Sequence, residues 1–258
     1  MGVGPHALYT VSMNILPDVV KFAKKNKLFL HMHLMETASE KAYIHNVLGE
    51  EYLRRLEEIG FFEVPVVFAH GVHLSDDDLS FLKDKNVVVA HCPQSNMKLS
   101  SGLFRWDLAK NNGVSVAIGT DGAASNNNLD FVEEMRTAVL LARGVSGKPD
   151  VLSPMEILEA ATSVPARRLG LALGEVREGY LADLVVWDVE DLSMVPVDDP
   201  QDWLSHVVYS AGTQAVSDVF VQGRWVLRSK SFVGVNVSEV VEQVSKRRRA
   251  IRKEDLIR

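Results

Sequence analysis

The chain has 258 residues, of which 47% are hydrophobic and 24% are charged, and its formal net charge is −6. This composition is typical of a globular protein with a substantial core, and the negative charge argues against a nucleic-acid-binding surface. The single cysteine, Cys92, excludes a disulfide framework and indicates a reducing compartment, so we expect a cytoplasmic protein. No apolar run reaches the roughly 18 residues that a membrane span needs, and we expect no signal peptide.

The first two thirds of the chain alternate between predicted helices and buried strands. Apolar, β-branched runs predict strands at 28–34, 64–70, 87–91 and 114–118. Helical spacing of apolar residues predicts helices at 16–25, 39–59, 75–85, 106–110, 129–143 and 153–162, with a polar loop at 92–102. Ser75 and Ser153 are each followed three residues later by an acidic residue, which predicts capping boxes. Short links between strands and helices indicate parallel βαβ units and an α/β fold.

The pattern changes after residue 172. A strand is predicted at 182–189 and a hairpin at 216–232, followed by a charge-rich amphipathic helix at 237–258. We therefore predict three units: residues 1–172, a small β module at 173–236, and a C-terminal helix at 237–258.

The stretch that carries most information about function is VSVAIGTDGAASNNNL at 114–129. Its buried strand ends at Asp121, and an α/β barrel places its chemistry at this end of its strands. A carboxylate there is costly to bury unless it meets a cation, a metal or several donors. The alternative is that Asp121 only caps the following turn.

Ionisable residues end all four predicted strands: His33, His70, His91 and Asp121. Imidazoles and a carboxylate converging on one rim are the ligands of a zinc-type ion, which lowers the pKa of bound water to about 7. Glu36 follows His33 by three residues and is placed to carry protons beside such a hydroxide. These residues predict metal-dependent hydrolysis.

Several motifs together resemble the amidohydrolase superfamily. They are GPHALYT at 4–10, HMHLMET at 31–37, AHGVH at 69–73, HCPQSNMKL at 91–99, GTDGAASNN at 119–127 and GYLADLVV at 179–186. The similarity covers almost the whole chain. It is to the branch of S-adenosylhomocysteine and 5′-methylthioadenosine deaminases and related chlorohydrolases.

The resemblance implies both a fold and residue roles. The fold is a partial (β/α)8 TIM-type barrel, strands four to eight, followed by the C-terminal part of a small β-sandwich. His33 and Asp121 ligate the metal, and Asp121 also takes a proton from the attacking water. Glu36 shuttles protons to the ring nitrogen of the substrate's purine and to the leaving ammonia. His70 bonds the metal's water in single-metal members and is a ligand in others, and His6 contacts the substrate.

The remaining histidines have lesser roles under this resemblance. His31 and His73 are interpreted as structural, because only the second histidine of the strand-five segment is a ligand in the family. His91 is interpreted as rim scaffolding or a minor substrate contact, with Cys92 where asparagine is usual. No role follows for His45 or His206.

The family's strand-one His-x-His, which supplies two metal ligands, is absent from this sequence, together with strands one to three. We favour a piece of a longer deaminase over a genuinely short protein. We expect this chain alone to bind zinc weakly and to lack appreciable deaminase activity.

The predicted function is hydrolytic deamination of S-adenosylhomocysteine or 5′-methylthioadenosine, a purine-nucleoside-type small molecule, with one divalent metal. Zinc is the favoured ion and ferrous iron the alternative; a homo-oligomer is left open. Triazine dechlorination or guanine- or cytosine-type deamination are the alternatives, although the Glu36–Thr37 pair favours a deaminase. A non-catalytic scaffold is the alternative of another class, and retention of Glu36 and Asp121 argues against it.

Overall fold

The computed structural model describes residues 1–255; residues 256–258, the end of the predicted C-terminal helix, lie outside the described part. Its larger sheet has five parallel strands that are hydrogen-bonded in chain order. They are β1 (Gly2–Val3), β2 (Phe29–Leu34), β3 (Val66–His70), β4 (Val87–His91) and β5 (Val116–Ile118). The predicted α/β class with a parallel sheet is confirmed.

Nine helices belong to this part of the chain. They are α1 (Leu16–Lys25), α2 (Ala38–Leu48), α3 (Tyr52–Glu58), α4 (Asp76–Leu82), α5 (Pro93–Lys98), α6 (Trp106–Asn111), α7 (Phe131–Ser146), α8 (Pro154–Ala161) and α9 (Ser163–Arg168). The capping boxes predicted at Ser75 and Ser153 are both formed, with Asp78 and Glu156 bonding back to the cap backbone. A 3₁₀ turn, Phe61–Glu63, follows α3.

The two faces of the parallel sheet differ in character. Leu30, Met32, Val66 and Phe68 belong to the large apolar core packed under the helices. The alternate residues face the other way, and there His31 pairs in register with Val67 and His33 with Ala69. This second face has a much smaller apolar cluster around Val67, Val88 and Ala117. The ionisable side chains of β2, His31 and His33, therefore lie on the face that does not carry the main core.

Two sequence predictions of local structure are wrong. The single helix predicted at 39–59 is two helices, because Gly49 takes a positive φ of 80° and ends α2. The loop predicted at 92–102 contains α5, which has Pro93 in its first turn. The polar residues that suggested a loop, Ser95 and Asn96, are fully buried on the site side of that helix.

The predicted β module is a second sheet of four antiparallel strands in chain order. Its strands are β6 (Leu184–Trp187), β7 (Val216–Val221), β8 (Arg224–Arg228) and β9 (Ser231–Phe232). Between β6 and β7 lie α10 (Pro200–Tyr209), which the sequence analysis missed, and 3₁₀ turns at Leu192–Met194 and Thr213–Ala215. The last helix, α11, is described from Val237 to Asp255. Among the described helices, none combines the length and the hydropathy that crossing a bilayer requires.

Candidate metal centre

Three of the four predicted strand-end residues converge on one point. His33, His70 and Asp121 each offer a ligand atom, and these atoms all lie within 4.8 Å of one another. His33 lies in β2, His70 ends β3, and Asp121 follows β5 by three residues. Because β2 to β5 are parallel, their carboxyl ends meet at one edge of the sheet. The spacing is short enough for the three side chains to share one ion.

Hydrogen bonds fix which nitrogen each imidazole presents. His33 Nδ1 lies 2.9 Å from the backbone oxygen of His6, and His70 Nδ1 lies 2.8 Å from Asn96 Oδ1. Both partners are acceptors, so Nδ1 carries the proton in each ring and donates it. The Nε2 lone pair of each ring is then available to a metal, as in histidine ligands oriented by a second partner.

Asp121 is held by two serine hydroxyls. Ser95 Oγ and Ser125 Oγ each donate to Asp121 Oδ2 over 2.7 Å. Burial raises the pKa of Asp121, but the bonds from Ser125 and Ser95 outweigh it and the pKa lies below its usual value. The group is therefore a carboxylate at neutral pH. Both hydroxyls use Oδ2, so Oδ1 has no side-chain donor within the described part of the chain.

The backbone around the site takes left-handed conformations that non-glycine residues rarely adopt. His70 has φ of 73°, Asp121 has φ of 61° and Met35, beside Glu36, has φ of 54°. Each such residue costs on the order of 1–3 kcal/mol and persists only where the surroundings impose it. Three of them lie next to one another at neighbouring strand ends, and strained residues of this kind cluster at active sites.

Glu36 reaches the same rim from the turn after β2. Its Oε2 lies 3.8 Å from His70 Nε2, and its Oε1 accepts a hydrogen bond from Ser101 Oγ over 3.1 Å. Its backbone N–H donates to Glu40 Oε2 over 2.7 Å, which fixes the turn against the start of α2. A carboxylate beside a ligand nitrogen, but outside the three-ligand group, is suited to moving protons.

His6 lines the rim next to β2. Its ring centroid is 4.8 Å from that of His33, and its Nδ1 is 2.8 Å from Thr10 Oγ1. The ring is exposed. His6 is thus near the centre without belonging to the three-ligand group.

The other histidines lie apart from the ligand atoms. His91 is 2% exposed and stacks on Phe104 with ring centroids 4.6 Å apart, so it is a packing residue and the substrate contact considered for it is not supported. Burial, with a smaller effect from His70, lowers the pKa of His91 to about 3. His73 Nε2 bonds the backbone oxygen of Ser101 over 2.7 Å. His31 lies beside His33 with ring centroids 6.2 Å apart, outside the three-ligand group.

Sequence analysis missed the residues that hold the ligands in place. These are Ser95, Asn96, Ser101 and Ser125, with Glu40 on the backbone of Glu36. Ser95, Asn96 and Ser125 all lie in the motifs at 91–99 and 119–127. Ser95 and Asn96 reach the site because α5 turns them toward it, and Ser125 reaches Asp121 from the loop after β5. Their hydroxyl and amide groups carried no signal of their own in the sequence.

The donor set fits a divalent transition metal. Two imidazole nitrogens and one carboxylate oxygen suit zinc, and three protein ligands are the number that leaves a coordination position open in catalytic zinc sites. The same set of two histidines and one carboxylate also suits ferrous iron. The oriented Nε2 atoms and the charged Asp121 meet the requirement that ligands be deprotonated before metal binds.

The chain is similar to known proteins over nearly its whole length. The model of the amidohydrolase family matches residues 1–226. A 5-methylthioadenosine/S-adenosylhomocysteine deaminase of Desulforudis audaxviator is 42% identical over 96% of this chain and 58% of its own length. The protein of the same name from Pyrococcus furiosus is 39% identical over 95% of this chain and 58% of its own length. The chain thus spans just over half the length of these curated relatives.

Solved structures of similar fold include two zinc-bound enzymes. An adenosine deaminase from Xanthomonas campestris with bound zinc superposes with a TM-score of 0.90 at 33% identity, covering 98% of this chain and 57% of its own. A zinc complex of atrazine chlorohydrolase from Arthrobacter aurescens has a TM-score of 0.84 at 25% identity, covering 95% of this chain and 54% of its own. With a family model matched over most of its length and these folds superposed on it, the chain belongs to the amidohydrolase family.

Proposed function

We propose that this chain is the metal-binding portion of a hydrolytic deaminase that acts on adenosine-type small molecules. One observation carries the proposal: ligand atoms of His33, His70 and Asp121 lie within 4.8 Å of one another, with the Glu36 carboxylate 3.8 Å from His70 Nε2. This places a metal ligand set and a proton carrier on one rim. Hydrolysis at a carbon–nitrogen bond needs both groups, because water must lose a proton and the amine must gain one.

The architecture proposed for the whole protein is a (β/α)8 barrel to which this chain contributes strands four to eight. The five parallel strands lie in chain order without the reversal that marks doubly wound sheets, which supports this interpretation. Residues 1–172 would form the barrel portion, 173–236 the C-terminal part of a β-sandwich, and 237–258 a terminal helix. Earlier strands would complete the barrel and supply the family's His-x-His.

His33, His70 and Asp121 would hold one divalent ion, for which zinc is the first candidate and ferrous iron the second. When bound, such an ion lowers the pKa of a water molecule to about 7 and so makes a nucleophile available at neutral pH. The chain's own contribution is orientation, because His6 and Asn96 fix the imidazole tautomers and two serines fix Asp121.

Proton transfer falls to the two carboxylates. Asp121 is ionised and presents Oδ1, so it can accept the proton that the attacking water loses. Glu36 has a separate location next to His70 and would deliver protons to the ring nitrogen and to the departing ammonia. Ser101 orients its Oε1. His6 would contact the substrate, since its exposed ring borders the ligand group on the β2 side.

Deamination of S-adenosylhomocysteine or 5′-methylthioadenosine is the favoured reaction. It is supported by relatives of that name at 36–42% identity, against 25% for the atrazine chlorohydrolase structure. Dechlorination of triazines needs the same nucleophile and is the second candidate. Guanine- or cytosine-type deamination has no specific observation in its favour.

The test is a screen of the complete gene product for ammonia release from S-adenosylhomocysteine, 5′-methylthioadenosine, guanine, cytosine and atrazine, with chloride release followed for atrazine. We expect ammonia from the two adenosine compounds, a loss of at least 100-fold in Glu36→Gln as is typical of a general acid–base group, and unchanged rates in His45→Gln. Chloride release without ammonia, or turnover that survives Glu36→Gln, would contradict the proposal. The present chain assayed alone should release no ammonia.

A further inference from the structure

A buried carboxylate lies outside the residues assigned so far. Glu134, in the first turn and a half of α7, is 0% exposed. It accepts hydrogen bonds from Asn126 Nδ2 and, over 3.3 Å, from the backbone N–H of Gln94. Burial raises the pKa of Glu134 to about 7, which measures how costly its charge is at this place. A side chain that only filled space here would be apolar, because buried charge is expensive unless it serves its partners.

The two partners of Glu134 stand next to the two hydroxyls that hold Asp121. Gln94 precedes Ser95, at the start of α5, and Asn126 follows Ser125, in the loop after β5. Ser95 Oγ and Ser125 Oγ each lie 2.7 Å from Asp121 Oδ2. These two segments follow different strands of the sheet, β4 and β5, and Glu134 is hydrogen-bonded to both of them.

We propose that Glu134 is a positioning residue of the metal centre, joining the start of α5 to the 121–128 loop so that Ser95 and Ser125 stay on Asp121. The inference rests on the proposed metal site and adds a residue to it. Glu134 touches none of the three ligands, so it acts through its neighbours. Only a carboxylate serves both partners, because each of them offers an N–H and a glutamine would turn its own N–H₂ toward one donor.

A plain structural role is the competing explanation. Glu134 also sits near the N-terminus of α7, where a negative charge is favourable whatever happens at the metal site. The two explanations differ in what they change. A helix-terminal charge affects the free energy of unfolding, whereas a positioning residue affects the affinity of the site for its ion.

The experiment measures zinc affinity of the full chain by competition with a chromophoric chelator, and the visible absorption spectrum of the cobalt form. We expect Glu134→Gln to weaken zinc binding by at least about tenfold, as outer residues of metal sites do, and to change the cobalt spectrum. Glu159→Gln, which removes an exposed carboxylate from α8, should leave both unchanged. An affinity within twofold of the unsubstituted chain in folded Glu134→Gln would overturn the inference.

Two further variants distinguish a failure of this inference from a failure of the proposed function. If Glu134→Gln does not fold, Asn126→Ala decides, because it removes one arm of the same link: a loss of affinity supports the inference and an unchanged affinity overturns it. Asp121→Ala tests the metal site itself. If Asp121→Ala leaves zinc affinity unchanged, the proposed function fails; if it abolishes binding while Glu134→Gln does not alter it, only the present inference fails.

Discussion

The buried imidazole of His91 should make the protein sensitive to acid. Its ring is 2% exposed, stacks on Phe104 and has its Nδ1 3.5 Å from Asn96 Nδ2, an arrangement that suits the neutral ring. Burial, then the nearby His70, lowers the pKa of His91 from 6.5 to about 3. In the unfolded chain the ring takes up a proton below about pH 6.5. The stability that depends on a neutral His91 is therefore complete above that pH and is lost as the pH falls toward 3.

The size of the effect follows from the shift. A displacement from 6.5 to about 3 corresponds to roughly 5 kcal/mol once the pH lies below both values. At pH 5 only part of this is lost, about 2 kcal/mol, which is a sizeable fraction of the roughly 5–15 kcal/mol by which a typical domain is stable. His91→Gln keeps an acceptor for Asn96 but cannot be protonated, so its unfolding free energy should fall about 2 kcal/mol less between pH 8 and pH 5.

Urea unfolding at a series of pH values, with a chelator present to keep the protein metal-free, measures this difference. His45→Gln is the matched control, because His45 lies in α2 away from the site, and it should follow the unsubstituted protein. Equal pH dependence in His91→Gln and the unsubstituted chain would refute the reasoning.

Three further outcomes follow from single contacts. Ser125→Ala removes one of the two hydroxyls on Asp121 and should weaken zinc binding up to about tenfold in a chelator competition, while full affinity would show that the bond does not orient the ligand. Gly71→Ala adds a Cβ 2.7 Å from Val89 Cγ1 at φ of 63°, and should lower the unfolding free energy by about 1–3 kcal/mol. Gly144 is exposed in α7 with open space around it, so Gly144→Ala should raise the unfolding free energy by roughly 0.5–1 kcal/mol. A change of the same sign in both glycine variants would contradict the structural reasons given for them.

Much of the parallel sheet could be predicted because its strands are apolar runs of the kind that buried strands require. The strand ends at His70 and His91 and the helix starts at Ser75 and Ser153 follow from residues adjacent in the sequence. The predicted helix boundaries were wrong at two places where the pattern of apolar and polar residues was misleading. Gly49 interrupts an otherwise continuous helical pattern, and the polarity of Ser95 and Asn96 concealed a helix that buries them.

The ligand set could be predicted in outline because parallel strands bring their carboxyl ends together whatever lies between them. His33, His70 and Asp121 meet for this reason, and the alternation of β2 already placed His31 and His33 on one face. The supporting bonds of Ser95, Ser125 and Glu134 could not be predicted. The bonds from Ser95 to Asp121 and from Gln94 to Glu134 join residues 26 and 40 positions apart, and their geometry depends on how α5 and α7 pack beside the rim. The bond from Ser125 to Asp121 spans only four residues, but it depends on how the loop after β5 folds back on itself.

The most direct test of the account is equilibrium dialysis of the chain against zinc, with the bound metal counted by elemental analysis. We predict one zinc per chain at saturation, weakly held, with its affinity reduced at least tenfold in His33→Ala, His70→Ala and Asp121→Ala and unchanged in His45→Ala. Absence of saturable binding, or zinc retained at full affinity in any of the three ligand variants, would contradict the claim that these side chains share one ion.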